Sequence, residues 1–200
     1  MSSQGLEILI PAAGGSSRLG HPKQLVEIDG QALIRQVVAL AESVQSATIH
    51  VVLGAHRERI ERALAGCQGI RIHHNPDWSS GMAGSLQTGL AQVRPECRAV
   101  LVLLPDQVYV SASDLQRLVS AWQTAPDRPA AAAYAGTFGV PAILPRSLFP
   151  QVMALSGDRG ARAIFTACRD QLISVPIPGA AFDLDTPLDE CRIRAMRDRL

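Results

Sequence analysis

The sequence is poor in aromatic residues and almost without net charge, and each shortage excludes a class of partner. Phe, Trp and Tyr make up 4% of the 200 residues, too few for an aromatic surface that stacks nucleic acid bases. The formal net charge of +1 gives no global field that would attract DNA, RNA or an anionic membrane. We therefore expect neither a nucleic acid nor a membrane as partner, and any anion-binding site must be local.

The sequence also lacks paired cysteines and long apolar runs. Its four cysteines lie far apart with no CxxC pair, which is typical of reduced thiols in the cytoplasm. The apolar run 8–13 breaks at glycine and is too short for a signal peptide or a membrane span. We expect a cytoplasmic protein and, since no linker, repeat or low-complexity tract interrupts the chain, a single domain over residues 1–200.

Apolar residues alternate between short continuous runs and helical spacing along the chain. The predicted strands are 8–10, 47–53, 70–73, 99–104, 130–134, 140–144 and 172–175, and the predicted helices are 32–44, 57–64, 83–93, 111–122, 159–168 and one from 187 onward. This alternation predicts βαβ units and a largely parallel sheet covered on both faces, which makes the chain an α/β protein. Ligands of such sheets bind at the carboxyl ends of the strands.

The segment after the first strand, residues 11–23, combines the groups that bind a polyphosphate. Gly14 and Gly15 allow a ligand to approach backbone N–H groups closely, and Ser16 adds a hydroxyl. Arg18 and Lys23 add two cations. We call residues 12–23 the glycine loop. An ordinary turn between strand and helix, carrying surface charges by chance, is the alternative that spacing alone leaves open.

Two familiar phosphate-binding loops are absent from this segment. A Walker A loop needs Gly-Lys-Ser/Thr in succession, but His21 and Pro22 stand between Gly20 and Lys23. The dinucleotide fingerprint GxGxxG is missing, and residues 54–56 after the second strand, Gly-Ala-His, offer no acidic residue for a ribose. The missing fingerprint and the missing acidic residue argue against an NAD(P)-type reductase.

The glycine loop resembles the signature of the MobA/MocA-like nucleotidyltransferases, approximately L-A-A-G-x-S-x-R-M-G-x-x-K, and above all that of the molybdenum cofactor cytidylyltransferases. The matching residues are Ala12, Ala13, Gly14, Ser16, Arg18, Gly20 and Lys23. Pro11 and Leu19 replace the usual leucine and methionine, and both changes keep an apolar residue. Guanylyl-transferring relatives usually carry Ala-Gly-Gly where this chain has Ala-Ala-Gly, so the resemblance favours cytidylyl transfer.

A second segment, residues 75–86, resembles the family's N-P-x-W-x-x-G-M-x-x-S-L. The matching residues are Asn75, Pro76, Trp78, Gly81, Met82, Ser85 and Leu86. By spacing alone an ordinary capped loop is the favoured explanation of this segment, whereas the resemblance implies that it helps to bind the nucleotide. The nucleotide-binding residues that the resemblance implies are Ala12, Ala13, Gly14, Gly15, Ser16, Lys23, Gly81, Ser85, Asp106 and Gln107.

Asp106 follows the strongest predicted strand. A carboxylate at the end of a buried strand is unfavourable without a partner, and a hard cation bridging phosphates is a natural one; an Asp that caps the next turn is the alternative. The family usually has Asp-Gln-Pro here, so only Val108 departs from it. Residues 182–187 resemble the family's D-I-D-T-P segment. Asp183 and Asp185 are the two candidates for the second ligand of Mg²⁺ in this segment, and the resemblance favours Asp185.

The acceptor side is implied by two further resemblances. Residues 139–141 resemble a glycine-x-proline segment of the family, and residues 157–162 resemble its G-D-x-G-A-R segment. The implied acceptor-binding residues are Gly139, Pro141, Asp158, Arg159 and Arg162. A capped helix with solvated arginines explains the second segment equally well from spacing alone.

Together these resemblances imply a three-layer α/β/α, Rossmann-like nucleotidyltransferase with Arg18, Lys23 and Asp106 as catalytic residues. The expected reaction joins CTP to the phosphate of molybdopterin with Mg²⁺ and releases pyrophosphate, and a molybdenum oxidoreductase would receive the product. The alternatives are guanylyl transfer, another phosphate acceptor, or a non-catalytic cofactor-binding chaperone. The intact set of two cations and two carboxylates argues against a mere carrier.

Overall fold

The computed structural model describes residues 5–44, 48–158 and 160–197. The strands are β1 (Leu6–Pro11), β2 (Glu27–Ile28), β3 (Gln31–Ala32), β4 (Ile49–Leu53), β5 (Ile70–His74), β6 (Ala99–Val102), β7 (Ala130–Tyr134), β8 (Thr137–Pro145) and β9 (Ile173–Pro176). The helices are α1 (Leu33–Glu42), α2 (Arg57–Ala63), α3 (Met82–Leu90), α4 (Ala112–Gln123), α5 (Phe149–Met153), α6 (Arg162–Ala167) and α7 (Pro187–Arg197).

The main sheet has the strand order β5-β4-β1-β6-β8-β7-β9. Strand β1 pairs in parallel with both β4 and β6, and β4 with β5. Strand β8 runs antiparallel to β6 and β7, while β7 and β9 are parallel. The prediction of a mostly parallel α/β sheet is confirmed, with β8 as the strand that reverses direction.

Both faces of the sheet are covered, because successive residues of each strand point to opposite sides. Ile8, Ile10 and Val51 belong to one buried cluster that includes residues of α1, α2 and α4. Leu9 and Val52 belong to another, which includes residues of α3 and α6. Since residues of the central strands are buried on both sides, their sequences are largely apolar, and the three-layer arrangement follows.

The predicted elements are present, with shifted ends. Helix α4 begins after Ser111, whose side chain accepts a hydrogen bond from the backbone of Asp114 in a capping box. Strand β8 is longer than predicted, and neither the β2–β3 ribbon nor α5 was expected. Residue 47, where a strand was predicted to begin, and residue 159, where a helix was, lie outside the described residues.

None of the helices in the described ranges is long and apolar enough to cross a membrane.

The sheet order places a crevice at the carboxyl ends of β1 and β6. The chain passes from β1 outward through β4 to β5, then returns to β6 on the other side of β1. Loops that leave neighbouring strands in opposite directions separate and leave room for a ligand. The glycine loop leaves β1, and Asp106 lies just beyond the end of β6.

Candidate active site

The glycine loop is folded around Ser16, which has a left-handed backbone with φ of 55°. Its Oγ accepts a hydrogen bond from the backbone N–H of Lys23 at 3.0 Å, and its carbonyl accepts one from Gly20 at 3.1 Å. Buried Gln24 donates from Nε2 to the carbonyls of Ala12 and Gly14, both at 2.9 Å. These bonds stabilise the conformation of the loop.

Four charged side chains meet beside this loop. Lys23 Nζ donates to Asp106 Oδ2 and, at 3.0 Å, to Asp185 Oδ1. Arg18 Nη2 donates to Asp185 Oδ2 at 2.9 Å. The residues predicted as catalytic and as metal ligands are therefore brought together in the structure, although their assigned roles stay predictions.

Backbone pairing explains why Asp185 reaches Asp106. Gln107 and Asp183 form an isolated antiparallel bridge, and the N–H of Leu184 donates to the carbonyl of Asp106 at 3.0 Å. Leu184 is fully buried in a cluster with Val108 and with Ile193 of α7. The chain before α7 thus lies against the chain after β6, and the site is closed by residues distant in sequence.

The charges of the cluster shift the pKa values of Lys23, which belongs to it, and of the neighbouring Asp183. Burial favours neutral Lys23, but the charges and hydrogen bonds of Asp106 and Asp185 outweigh it, so the pKa of Lys23 rises above its usual value. Burial, followed by the charges of Asp106 and Asp185, raises the pKa of Asp183 to about 6. A carboxyl whose pKa is raised by burial and by neighbouring carboxylates is typical of functional sites.

The donor set fits a magnesium ion that completes its shell with phosphates. Asp106 Oδ1 is buried and has no hydrogen-bond partner in the described part of the chain. Within the same residues no group of three or more His, Cys, Asp or Glu side chains is arranged to hold a metal ion. Mg²⁺ usually takes one or two carboxylates together with water and substrate phosphates, so Asp106 and Asp185 suffice.

Two cavities that share Pro11 and Met82 open at the glycine loop and at Gln107 and Asp183, which are close in sequence to members of the charged cluster. The first, which we call the glycine-loop cavity, measures about 240 Å³. It is lined by Pro11, Ala13, Gly14, Gly15, Trp78, Ser79, Gly81, Met82, Ser85 and Asp158. Because it joins the glycine loop to the start of α3, the two segments implied to bind nucleotide form one concave surface.

The second cavity, the Arg162 cavity, measures about 170 Å³. It is lined by Pro11, Met82, Leu86, Val102, Leu104, Gln107, Tyr134, Gly139, Val140, Gly160, Ala161, Arg162 and Asp183. Arg162 is held at its edge by a hydrogen bond from Nη2 to Thr137 Oγ1 at 2.6 Å. Pro11 and Met82 line both cavities, so ligands in the two would be neighbours.

The predicted site residues divide between these cavities unevenly. Gly139 and Arg162 line the Arg162 cavity, as expected for an acceptor side, whereas Asp158 lines the glycine-loop cavity. Pro141 lines a separate cavity against α1. Arg159 lies outside the described residues, and Ala12 is buried, 2% exposed, beneath the loop.

Sequence reasoning missed several residues that the structure brings to the site. Tyr134 lines the Arg162 cavity, and burial, followed by the charge of Asp183, raises the pKa of its hydroxyl. Gln24 supports the glycine loop from below. The only available signal for Gln24 was its position next to Lys23, and Tyr134 ends a strand on the far side of β8, which no local pattern predicts.

Comparison with known proteins finds a family, relatives and solved structures that are similar to this chain. The sequence matches the MobA-like NTP transferase domain over residues 8–172. Nicotine blue oxidoreductase of Paenarthrobacter nicotinovorans is 34% identical, over 76% of this chain and 76% of the relative. Purine catabolism protein PucB of Bacillus subtilis (strain 168) is 26% identical, over 92% and 93%. The crystal structure of Rv0371c from Mycobacterium tuberculosis H37Rv matches with a TM-score of 0.85 at 25% identity, over 98% of this chain and 100% of that one.

Proposed function

The chain belongs to the MobA-like NTP transferase domain family, and from that premise we propose that it transfers a cytidylyl group from CTP to the phosphate of molybdopterin. The products are a cytosine dinucleotide form of the molybdenum cofactor and pyrophosphate. The observation that carries the proposal is the convergence of Arg18, Lys23, Asp106 and Asp185 at the glycine loop, whose residues Gly14 and Gly15 line a cavity.

The reaction is an in-line displacement at the α-phosphorus. An oxygen of the acceptor phosphate forms the new P–O bond while the bond to the bridging oxygen breaks, and pyrophosphate carries away the electron pair. A phosphate monoester has its second pKa near ~6 and is already ionised at neutral pH, so no general base is needed. Catalysis then consists of positioning and charge neutralisation.

Lys23 and Arg18 supply the positive charge for this step. In the structure both are bound to carboxylates, Lys23 with its side chain 20% exposed and Arg18 with 71%. When the triphosphate enters, these cations turn from the aspartates to the phosphate oxygens. Neutralising charge that develops on the leaving group is worth most in a site that excludes water.

Asp106 and Asp185 are proposed to hold Mg²⁺. Asp106 contributes the buried Oδ1 that lacks a partner in the described part of the chain, and Asp185 gives up its bonds to the two cations. The bound ion would neutralise phosphate charge during the displacement.

The Arg162 cavity is proposed as the acceptor site. Met82, Leu86 and Val140 give it apolar walls suited to a ring system, and Arg162 offers a cation for an anionic group. The receiving partner would be a molybdenum oxidoreductase, and the reaction is proposed for the cytoplasm, where cysteines such as the four free ones here stay reduced.

A redox function is the second candidate, because a relative 34% identical is named an oxidoreductase. The glycine loop contains no GxGxxG fingerprint, and a two-carboxylate site has no evident use in hydride transfer. Consumption of NADH or NADPH with an oxidised acceptor is the observation that would favour this candidate.

The test is pyrophosphate release with Mg²⁺, each of the four nucleoside triphosphates and molybdenum-loaded molybdopterin. Release that depends on both CTP and the acceptor supports the proposal, and selectivity for GTP replaces it with guanylyl transfer. If folded protein releases nothing with any nucleotide, a CTP-binding titration separates another acceptor, where CTP binds, from the non-catalytic chaperone, where it does not.

A further inference from the structure

The indole of Trp78 occupies a gap between two glycines that belong to different loops. A Cβ on Gly15 would lie 3.0 and 3.2 Å from Cζ3 and Cη2 of the ring, and a Cβ on Gly54 would overlap Cβ and Cγ of Trp78. Neither glycine has a positive φ, so backbone conformation does not require glycine at these positions. The space that the indole takes up does.

The backbone that carries Trp78 is firmly anchored. The N–H of Asn75 donates to the carbonyl of Leu53, at the end of β4, at 2.8 Å. Its Nδ2 donates to Ser85 Oγ at 3.2 Å. The N–H of Asp77 donates to Asn75 Oδ1 at 3.1 Å. The turn therefore fixes where the ring can lie, and the glycine loop rests against it.

Trp78 differs sharply from the other tryptophan of the chain. Trp122 is 3% exposed in the core, and its Nε1 donates to the carbonyl of Pro126 at 3.1 Å. Trp78 is 37% exposed and lines the glycine-loop cavity. A large aromatic face left open beside glycine amides and serine hydroxyls is what a nucleoside would cover.

We propose that Trp78 is the positioning residue of the nucleotide site: it holds the glycine loop from one side and presents its open face to the nucleoside. This inference deepens the proposed function and rests on it for the identity of the ligand as a nucleoside triphosphate. Replacing Trp78 leaves Arg18, Lys23, Asp106 and Asp185 intact, so the loss falls on nucleotide binding and loop placement.

The first experiment uses fluorescence. In a Trp122→Phe background Trp78 is the sole fluorophore of this type, since the chain contains two tryptophans. CTP with Mg²⁺ is expected to quench or shift its emission with the same dissociation constant that calorimetry gives. If calorimetry detects binding while the emission stays unchanged, the inference is overturned and the proposed function stands. If calorimetry detects no nucleotide, the proposed function fails first.

The second experiment is a double-mutant cycle between Trp78 and Gly15. Trp78→Ala should weaken CTP binding about tenfold, the size of one base–aromatic contact, and Trp78→Phe should recover most of it. Gly15→Ala should weaken binding in the parent but much less in the Trp78→Ala background, where the clash is gone. Additive effects, or unchanged affinity in Trp78→Ala, would overturn the inference.

A matched control separates this role from the mere loss of an exposed apolar side chain. Ile72 on β5 is 39% exposed and lines neither cavity, so Ile72→Ala should leave CTP affinity unchanged. Should Trp78→Ala fail to fold, judged by circular dichroism, the comparison of Gly15→Ala with the parent and with Trp78→Phe replaces it. A Gly15→Ala variant that binds CTP as tightly as the parent then contradicts the proposed contact.

Discussion

Buried carboxylates occur on strand β1 and just beyond strand β6, and they differ in how completely their oxygens are hydrogen-bonded. Glu7, fully buried on β1, accepts hydrogen bonds at both oxygens, from Arg94 Nε and from His50 Nε2, each at 2.7 Å. Asp106, 7% exposed beyond β6, has one oxygen on Lys23 and the other without a partner in the described residues. A satisfied network stabilises a fold, whereas an unsatisfied one reserves a place for a ligand.

The pKa shifts of the carboxyl groups also differ between the two regions. Burial favours protonated Glu7, but the bonds from Arg94 and His50 outweigh it and lower the pKa of the carboxyl below its usual value. At the other end, burial and neighbouring aspartates raise the pKa of Asp183 to about 6. Near Glu7, Arg94 supplies the positive charge that balances the carboxylate. Near Asp183, the three carboxylates Asp106, Asp183 and Asp185 outnumber the two cations Arg18 and Lys23.

The largest expected effect comes from Asp106→Asn. The variant keeps the shape of the side chain but removes the charge proposed to bind the metal ion, so pyrophosphate release should fall about 10³-fold. Because Asp106 is only half satisfied, the melting temperature should change by no more than about 4 °C. Turnover close to that of the parent would remove Asp106 from the site.

Glu7→Gln should show the reverse pattern. Gln keeps one acceptor oxygen but places an NH2 group where the other oxygen was, so either Arg94 or His50 loses its acceptor and the negative charge is gone, which we expect to lower the free energy of unfolding by about 3 kcal/mol. In a chain of this size that corresponds to a melting temperature about 6–12 °C lower. Pyrophosphate release per folded molecule at 20 °C should be unaffected, and a strong loss of turnover without loss of stability would contradict the contrast.

Lys23→Met tests how far the protein itself satisfies the carboxylates of the active site, because Lys23 donates hydrogen bonds to Asp106 and Asp185. Turnover should fall about 10²-fold through loss of a phosphate contact. Without nucleotide, however, Mn²⁺ should bind more tightly than to the parent, because the ammonium no longer occupies Asp106 and Asp185. Arg18→Met, which frees one oxygen of Asp185 only, is the matched control, and weaker Mn²⁺ binding in Lys23→Met would refute the expectation.

Features formed by residues close together in sequence could be predicted, whereas contacts between distant segments could not. The glycine loop is continuous in the chain, so its glycines, hydroxyls and cations could be read together, and Asp106 was marked by the strand before it. The position of Asp185 depended on resemblance, because the pairing of Gln107 with Asp183 joins distant segments. The direction of β8 and the bond between His50 and Glu7 were not predictable, since apolar runs carry no information on strand direction or partners.

His73 gives the smallest expected effect and a pH test of the buried network. It shares a 2.9 Å hydrogen bond with His50 Nδ1, and burial, followed by the charges of His50 and Arg71, lowers the pKa of His73 below its usual value of 6.5. As the pH falls through about 6.5, the unfolded chain therefore takes up a proton that the folded chain resists, and stability is lost. Glu7 adds a further loss below about pH 4.5, because its pKa is also lowered on folding.

In His73→Gln, the fall in melting temperature between pH 7.5 and 5.5 should shrink by about 2 °C, whereas His74→Gln on the exposed side of β5 should keep the parent's profile. An unchanged profile in His73→Gln would show that this histidine is not linked to the network.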